Sequence, residues 1–164
     1  MSSMDLVLYE EEIKLLEDVL QRLRHDANAR AVFLIDKNGQ QIAAGGEVDQ
    51  FDNTSLASLT AGNVAATDSL AKLIGEREFS VLFHEGQRDH IHISIVAKRA
   101  ILLVIFDERS SLGLVRLRVK RAGTEFDKIF EAMAQKASAA PEDGGIPTPF
   151  SEITDEDIDA LFSD

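Results

Sequence analysis

The segment Phe79–Phe106, FSVLFHEGQRDHIHISIVAKRAILLVIF, decides the fold. Phe79, Val81 and Phe83 alternate with Ser80, Leu82 and His84, the period of a half-buried strand. Gly86 to Asp89 reads as a turn. His90, His92, Ser94 and Val96 then alternate with Ile91, Ile93, Ile95 and Ala97, and Lys98-Arg99 makes the next turn. Ala100 to Phe106 is apolar at every position, which predicts a central strand covered on both faces. The half-polar outer strands predict a sheet edge or an interface.

Upstream, Ala31 to Asp36 is a short apolar run rich in β-formers. Lys37-Asn38-Gly39-Gln40 follows, and Asn-Gly is a strong hairpin signal because both residues tolerate positive φ. The return strand is expected over about Gln40 to Ala44. A first helix is expected from Tyr9 to Asp26, with Ile13, Leu16, Leu20 and Leu23 at helical spacing and Leu15 and Val19 widening the stripe.

A second helix is expected from Asn53 to Ile74, capped by Asp52 or Asn53 and closed by Gly75. Leu56, Leu59, Asn63, Ala66, Leu70 and Leu73 form its apolar edge, which is expected to face the sheet. Beyond the strands, LVRLRV alternates like a strand. Leu112, Val115, Val119, Ala122, Phe126, Ile129 and Met133 nevertheless keep helical spacing much further, so Leu112 to Ala137 is read as a helix capped by Ser110 or Ser111. The order α-β-β-α-β-β-β-α predicts an α/β (α+β) fold: one antiparallel five-stranded sheet with helices on both faces.

The 164 residues suit one domain and a tail. All three prolines (Pro141, Pro147, Pro149) lie beyond residue 137, in SAAPEDGGIPTP, a linker composition. We therefore expect a domain over residues 1–137 and a disordered acidic tail over 138–164. Of the net charge of −12, the tail carries eight acids and no Lys or Arg, leaving 21 acids against 17 bases in the body. That balance disfavours nucleic-acid binding, which needs a surplus of cations. The chain has no cysteine, hence no disulfide, thiolate metal site or cysteine nucleophile. No signal peptide is readable, and the longest apolar run is too short to cross a bilayer, so a cytoplasmic location without membrane insertion is expected.

Candidate chemistry is sparse. His90 and His92, at i and i+2, could share a metal, but alternation puts His84 on the opposite face and no third ligand is evident. A wet strand face is the simpler reading. Asp36, Asp107 and Glu108 sit at strand ends without a nucleophile. Gly45-Gly46 lacks the Lys-Ser/Thr of a phosphate loop. No metal, cofactor or nucleotide is expected. Arg116, Arg118, Lys120 and Arg121 make a basic stretch, read as a solvated face or as a site for an acidic partner, the chain's own tail included.

Two features ask for a partner. Ser58, Gly62, Ala65 and Ser69, spaced i, i+4, i+7, i+11, make a stripe of small residues on the second helix, flanked by Ala57 and Ala61. Glycine inside a helix costs on the order of 1 kcal/mol against alanine, so a close-approaching backbone should offset it. Internal packing would do so, but the apolar edge already serves the sheet, which favours an intermolecular contact. In the tail, Thr154 and Asp157 resemble a capping box, and Ile158, Leu161 and Phe162 share one face of a short acidic helix at about 155–162. Such a helix is marginal alone and suited to a partner's groove.

Four segments carry a resemblance over nearly the whole body: DANARAVFLIDKNGQ, TSLASLTAGNVAATDSLAKLIGE, FHEG and VIFDERSSLGLVRLRVKRA. With the element order and the DEDIDALF ending, the chain resembles the Roadblock, or dynein light-chain, family, and within it the MglB-type bacterial gliding-motility regulators. The resemblance implies a profilin-like fold and a homodimer with sheets joined edge to edge and second helices side by side. It implies a non-enzymatic activator of a Ras-like small GTPase of the MglA type in its GTP state, with two copies embracing one GTPase. In that family the regulator supplies no arginine finger but reorders the GTPase's own catalytic residues, so Arg88 and Arg109 are weak finger candidates. The expected partner surface is Ser58, Ala61, Gly62, Ala65, Ser69 and Lys72, with Ile158, Leu161 and Phe162 as a second, tail-borne contact. A role in cell polarity and motility, with concentration at a cell pole, is implied too. A Roadblock scaffold that binds a GTPase or another partner without stimulating hydrolysis is the alternative.

Overall fold

The computed structural model describes residues 10–139. Tyr9 and the expected docking helix with Ile158, Leu161 and Phe162 lie outside that range. The elements are α1 (Glu10–Asp26), β1 (Ala31–Asp36), β2 (Gln41–Gly46), a single 3-10 turn (Val48–Gln50), α2 (Asn53–Leu73), β3 (Val81–Glu85), β4 (His90–Val96), β5 (Ala100–Phe106) and α3 (Leu112–Ala139). The order is the expected one. The strands form one antiparallel sheet in the spatial order β2-β1-β5-β4-β3.

The all-apolar β5 is the middle strand and is buried along its whole length. One set of its side chains, Leu102, Val104 and Phe106, joins Val32 and Leu34 of β1 under α1 and α3, which contribute Leu16, Leu20, Val115 and Phe126. The other set, Ile101, Leu103 and Ile105, joins Phe33, Ile35 and Ile93 under α2, which contributes Ala57, Ala61 and Val64. Two helices therefore cover one face and a single helix covers the other. Leu15, expected in the apolar stripe of α1, is half exposed, and Glu12 is buried in its stead. The Glu12 carboxylate is met by Lys136 of α3 at 3.2 Å.

The β1–β2 hairpin corrects the sequence reading. Only Gly39 takes positive φ (+91°); Asn38 does not. The Asp36 carboxylate accepts from the backbone N–H groups of Asn38 and Gln40, and the register shifts between Leu34 and Ile35. The turn is a three-residue loop with one left-handed glycine and a bulge, so β2 starts at Gln41 and continues to Gly46 instead of ending at Ala44.

Candidate functional site

Asp52 caps α2, its carboxylate accepting from Ser55 N–H (3.1 Å) and Ser55 Oγ (2.8 Å), which holds the carboxyl below its ordinary pKa. The helix closes through Ile74 and the positive-φ Gly75. Between these stops its faces divide differently from the sequence expectation. The sheet side is built from Ala57, Thr60, Ala61, Val64 and Ala71. The apolar edge expected to face the sheet is largely outside: Leu59 is 74%, Leu70 55% and Leu73 82% exposed. Close approach explains the exchange. A Cβ at Gly39 would sit 3.2 Å from Ser58 Cα, so the helix lies close to the hairpin there, and of the expected edge leucines only Leu56 packs against the sheet-side cluster.

Ser58, Gly62, Ala65, Ser69 and Lys72 are exposed on the outer surface. A Cβ at Gly62 would meet nothing within 4 Å. Nothing inside the described chain therefore requires that glycine. Ala61 is corrected: it is buried against the sheet and belongs to the underside. Leu59, Asn63, Ala66, Leu70 and Leu73 share one flank by helical spacing. Asn63 Nδ2 lies 3.2 Å from His84 Nε2 on β3, so this flank leans towards the sheet's β3 edge.

The histidines divide as alternation requires. His84 faces α2, while His92 lies on the α3 side beside Arg116 and Val119. No group of three metal-ligating side chains occurs among the described residues. His90 packs at a tilt against Phe83 and Phe106, at centroid distances of 6.0 and 5.2 Å. His92 is not on a wet face, as the sequence suggested. It is 1% exposed, and burial, with the nearby Arg116 charge second, holds its pKa below the ordinary histidine range.

Of the strand-end carboxylates, Asp36 and Asp107 are structural and Glu108 is exposed. Asp36 builds its turn, and Asp107 binds the Arg109 guanidinium, which also reaches Glu47 at 3.3 Å. This pairing raises the pKa of Arg109 and depresses that of Asp107. Glu47 in turn accepts from Arg30, which bonds Asp89 at 2.9 Å. Arg109 is thus tied down in cis, which weakens it further as a finger; Arg88 is exposed in the β3–β4 turn. The basic stretch points around α3 as expected: Arg116 and Lys120 line a groove beside β4, while Arg118 and Arg121 line a recess against α1. That groove is the feature the sequence missed, because it depends on how α3 crosses strands far from it in the chain. No helix among the described residues is long and apolar enough to cross a membrane.

Comparison with known proteins agrees with this architecture. Among curated proteins, none matches. The family model for the Roadblock/LC7 domain matches residues 15–106. Among solved structures, Myxococcus xanthus MglB is similar at 58% identity and a TM-score of 0.74, covering 78% of this chain and 96% of that one. The gliding protein MglB of Thermus thermophilus is similar at 35% identity and a TM-score of 0.73, covering 77% of this chain and 96% of that one. A Roadblock/LC7 domain from Streptomyces avermitilis shares the fold at 12% identity, with a TM-score of 0.64 over 70% of this chain and 97% of that one. With the element order, the sheet order and this family match in agreement, the chain belongs to the Roadblock/LC7 family and, within it, is most like the MglB proteins among these relatives.

Proposed function

We propose that the protein is a homodimeric activator of a Ras-like small GTPase of the MglA type, acting in cell polarity and motility control without a catalytic site of its own. The observation that carries this reading is the outer surface of α2. It pairs a small-residue stripe (Ser58, Gly62, Ala65, Ser69) with an adjacent flank of exposed leucines (Leu59, Leu70, Leu73), two surfaces at different angles on one helix. A domain of this size rarely leaves such apolar area to water without an interface.

The two surfaces suit two contacts. The leucine flank stands beside β3, whose outer edge has no strand partner within the described chain. A second copy adding its own β3 there extends the sheet and covers the leucines with its α2. The small-residue stripe, with Lys72 at its end, stays free for the GTPase, whose backbone can approach closely where side chains are short. The Thermus relative is a gliding protein, which supports the motility setting, and another MglB structure, 35% identical, has a tetrameric arrangement, which supports self-association. Catalysis would then come from the GTPase's own residues, reordered by the docked dimer, two copies to one GTPase. The tail face Ile158, Leu161, Phe162 is a second contact. A scaffold that binds without stimulating hydrolysis is the rival reading. Single-turnover GTP hydrolysis by the cognate GTPase, with and without this protein, separates the two: the activator raises the rate, and the scaffold leaves it unchanged while still binding.

A further inference from the structure

The groove between α3 and the β3–β4 side of the sheet has a volume of about 510 Å³ and opens on the face opposite α2, with Ser80 and Val81 bringing its rim to the β3 edge. Its walls include Val81, Val96 and Val119, and Arg116 and Lys120 stand on its lining. At its floor, both ring nitrogens of His92 and the hydroxyl of Ser94 are buried without a hydrogen-bond partner among the described residues. Orphaned buried polar atoms cost on the order of 1–3 kcal/mol each, so the floor stores a penalty that the packing above it offsets. Neither Arg116 nor Lys120 has an ion pair among the described residues. On the α3 side, Gly123 leaves the groove open: a Cβ there would meet nothing within 4 Å.

We infer that this groove is the resting place of the chain's own acidic terminal segment, residues 152–162, when the protein is not engaged with a partner. The chemistry matches on two counts. The walls are apolar, and Ile158, Leu161 and Phe162 share a helical spacing. The lining is basic, and the tail carries eight acids with no Lys or Arg. Asp127, also on the lining, limits where the tail's charges can sit. The chain is long enough. From Gly123 to Ala139 α3 rises about 24 Å, and residues 140–151 span up to roughly 40 Å when extended, so the tail can turn back along α3.

The absence of cysteine makes the test clean. A nitroxide on Ser163→Cys in the full chain should broaden the amide signals of His92, Val119 and Thr124 more than any on α2. Gly123→Leu fills the groove while improving helix propensity, so it should fold and abolish that broadening. Replacing Ile158, Leu161 and Phe162 with Ser should abolish it as well, with the charges retained. Uniform broadening, broadening centred on Leu59, Leu70 and Leu73, or broadening that survives Gly123→Leu in a folded protein would each overturn the assignment. The measurement uses the protein alone, so it can fail while the GTPase reading stands, and the reverse.

Discussion

Asn63 Nδ2 of α2 lies 3.2 Å from His84 Nε2 of β3, the one side-chain hydrogen bond among the described residues that joins the second helix to the outer strand. Thr67 Oγ1 donates to the carbonyl of Asn63 (2.8 Å) and reaches its side-chain oxygen (3.3 Å), which orients the amide so that its nitrogen faces the imidazole. Asn63→Ala should lower stability by about 0.5–1 kcal/mol, the net worth of such a bond, and weaken self-association more than stability. Urea unfolding and light scattering against concentration measure both. A dimer unaffected by the change would place the interface away from this edge.

The two glycines Gly46 and Gly62 should respond to alanine with opposite signs. Gly46 has φ +89° and a Cβ there would collide with the Arg30 carbonyl oxygen, so Gly46→Ala should cost about 1–3 kcal/mol of stability. Gly62 lies in open helix surface, so Gly62→Ala should stabilise the protein alone by roughly 0.5–1 kcal/mol. If the stripe is the GTPase contact, that same substitution weakens binding. A variant that gains stability and keeps full affinity would remove Gly62 from the interface.

Ala65→Arg and Ser69→Arg should leave the fold intact, because both positions are exposed, and should abolish binding to the GTPase, because a long charged side chain cannot enter a close contact. Circular dichroism checks the first statement and titration with the GTP-loaded partner checks the second.

His92 gives a pH signature. Its pKa in the folded chain is lowered from 6.5, so the unfolded state binds the extra proton. The corresponding stability is present above about pH 6.5 and is lost as pH falls towards the lowered folded value. In the Ile158→Ser, Leu161→Ser, Phe162→Ser background, where no tail carboxylate reaches the groove, denaturant unfolding at pH 7.5 and 5.5 should show this loss. Adding His92→Phe should flatten it, since His25, His84 and His90 are common to both proteins. An unchanged pH slope would mean that His92 is not titrating in this range.

Strand and helix positions are legible in the sequence because they depend on local period: β1, β4, β5 and α2 start where alternation and capping place them. The orientation of α2 is not. Its leucines and its small residues have the same helical spacing, and which set meets the sheet depends on how close the helix lies to Gly39, a contact between distant parts of the chain. Hydrophobicity alone sends leucine inward, whereas the sheet side is built on Ala57, Ala61 and Val64, with Leu56 the one leucine of the expected edge packed beside them. Spacing finds the exposed stripe, apart from Ala61, which spacing alone cannot separate from the underside. His92 reads as wet because polar alternation in β4 gives no notice that α3 will cover it.

As a GTPase activator, this chain is expected to speed hydrolysis by a GTPase whose catalytic residues it does not replace. The most direct measurement is single-turnover hydrolysis by the cognate GTP-loaded GTPase at increasing concentrations of this protein, alongside its Ser69→Arg variant. The expected result is a rate that rises and saturates with the wild-type chain, no rise with the variant, and no hydrolysis by the chain alone. A rate that stays at the intrinsic value while binding saturates would contradict it.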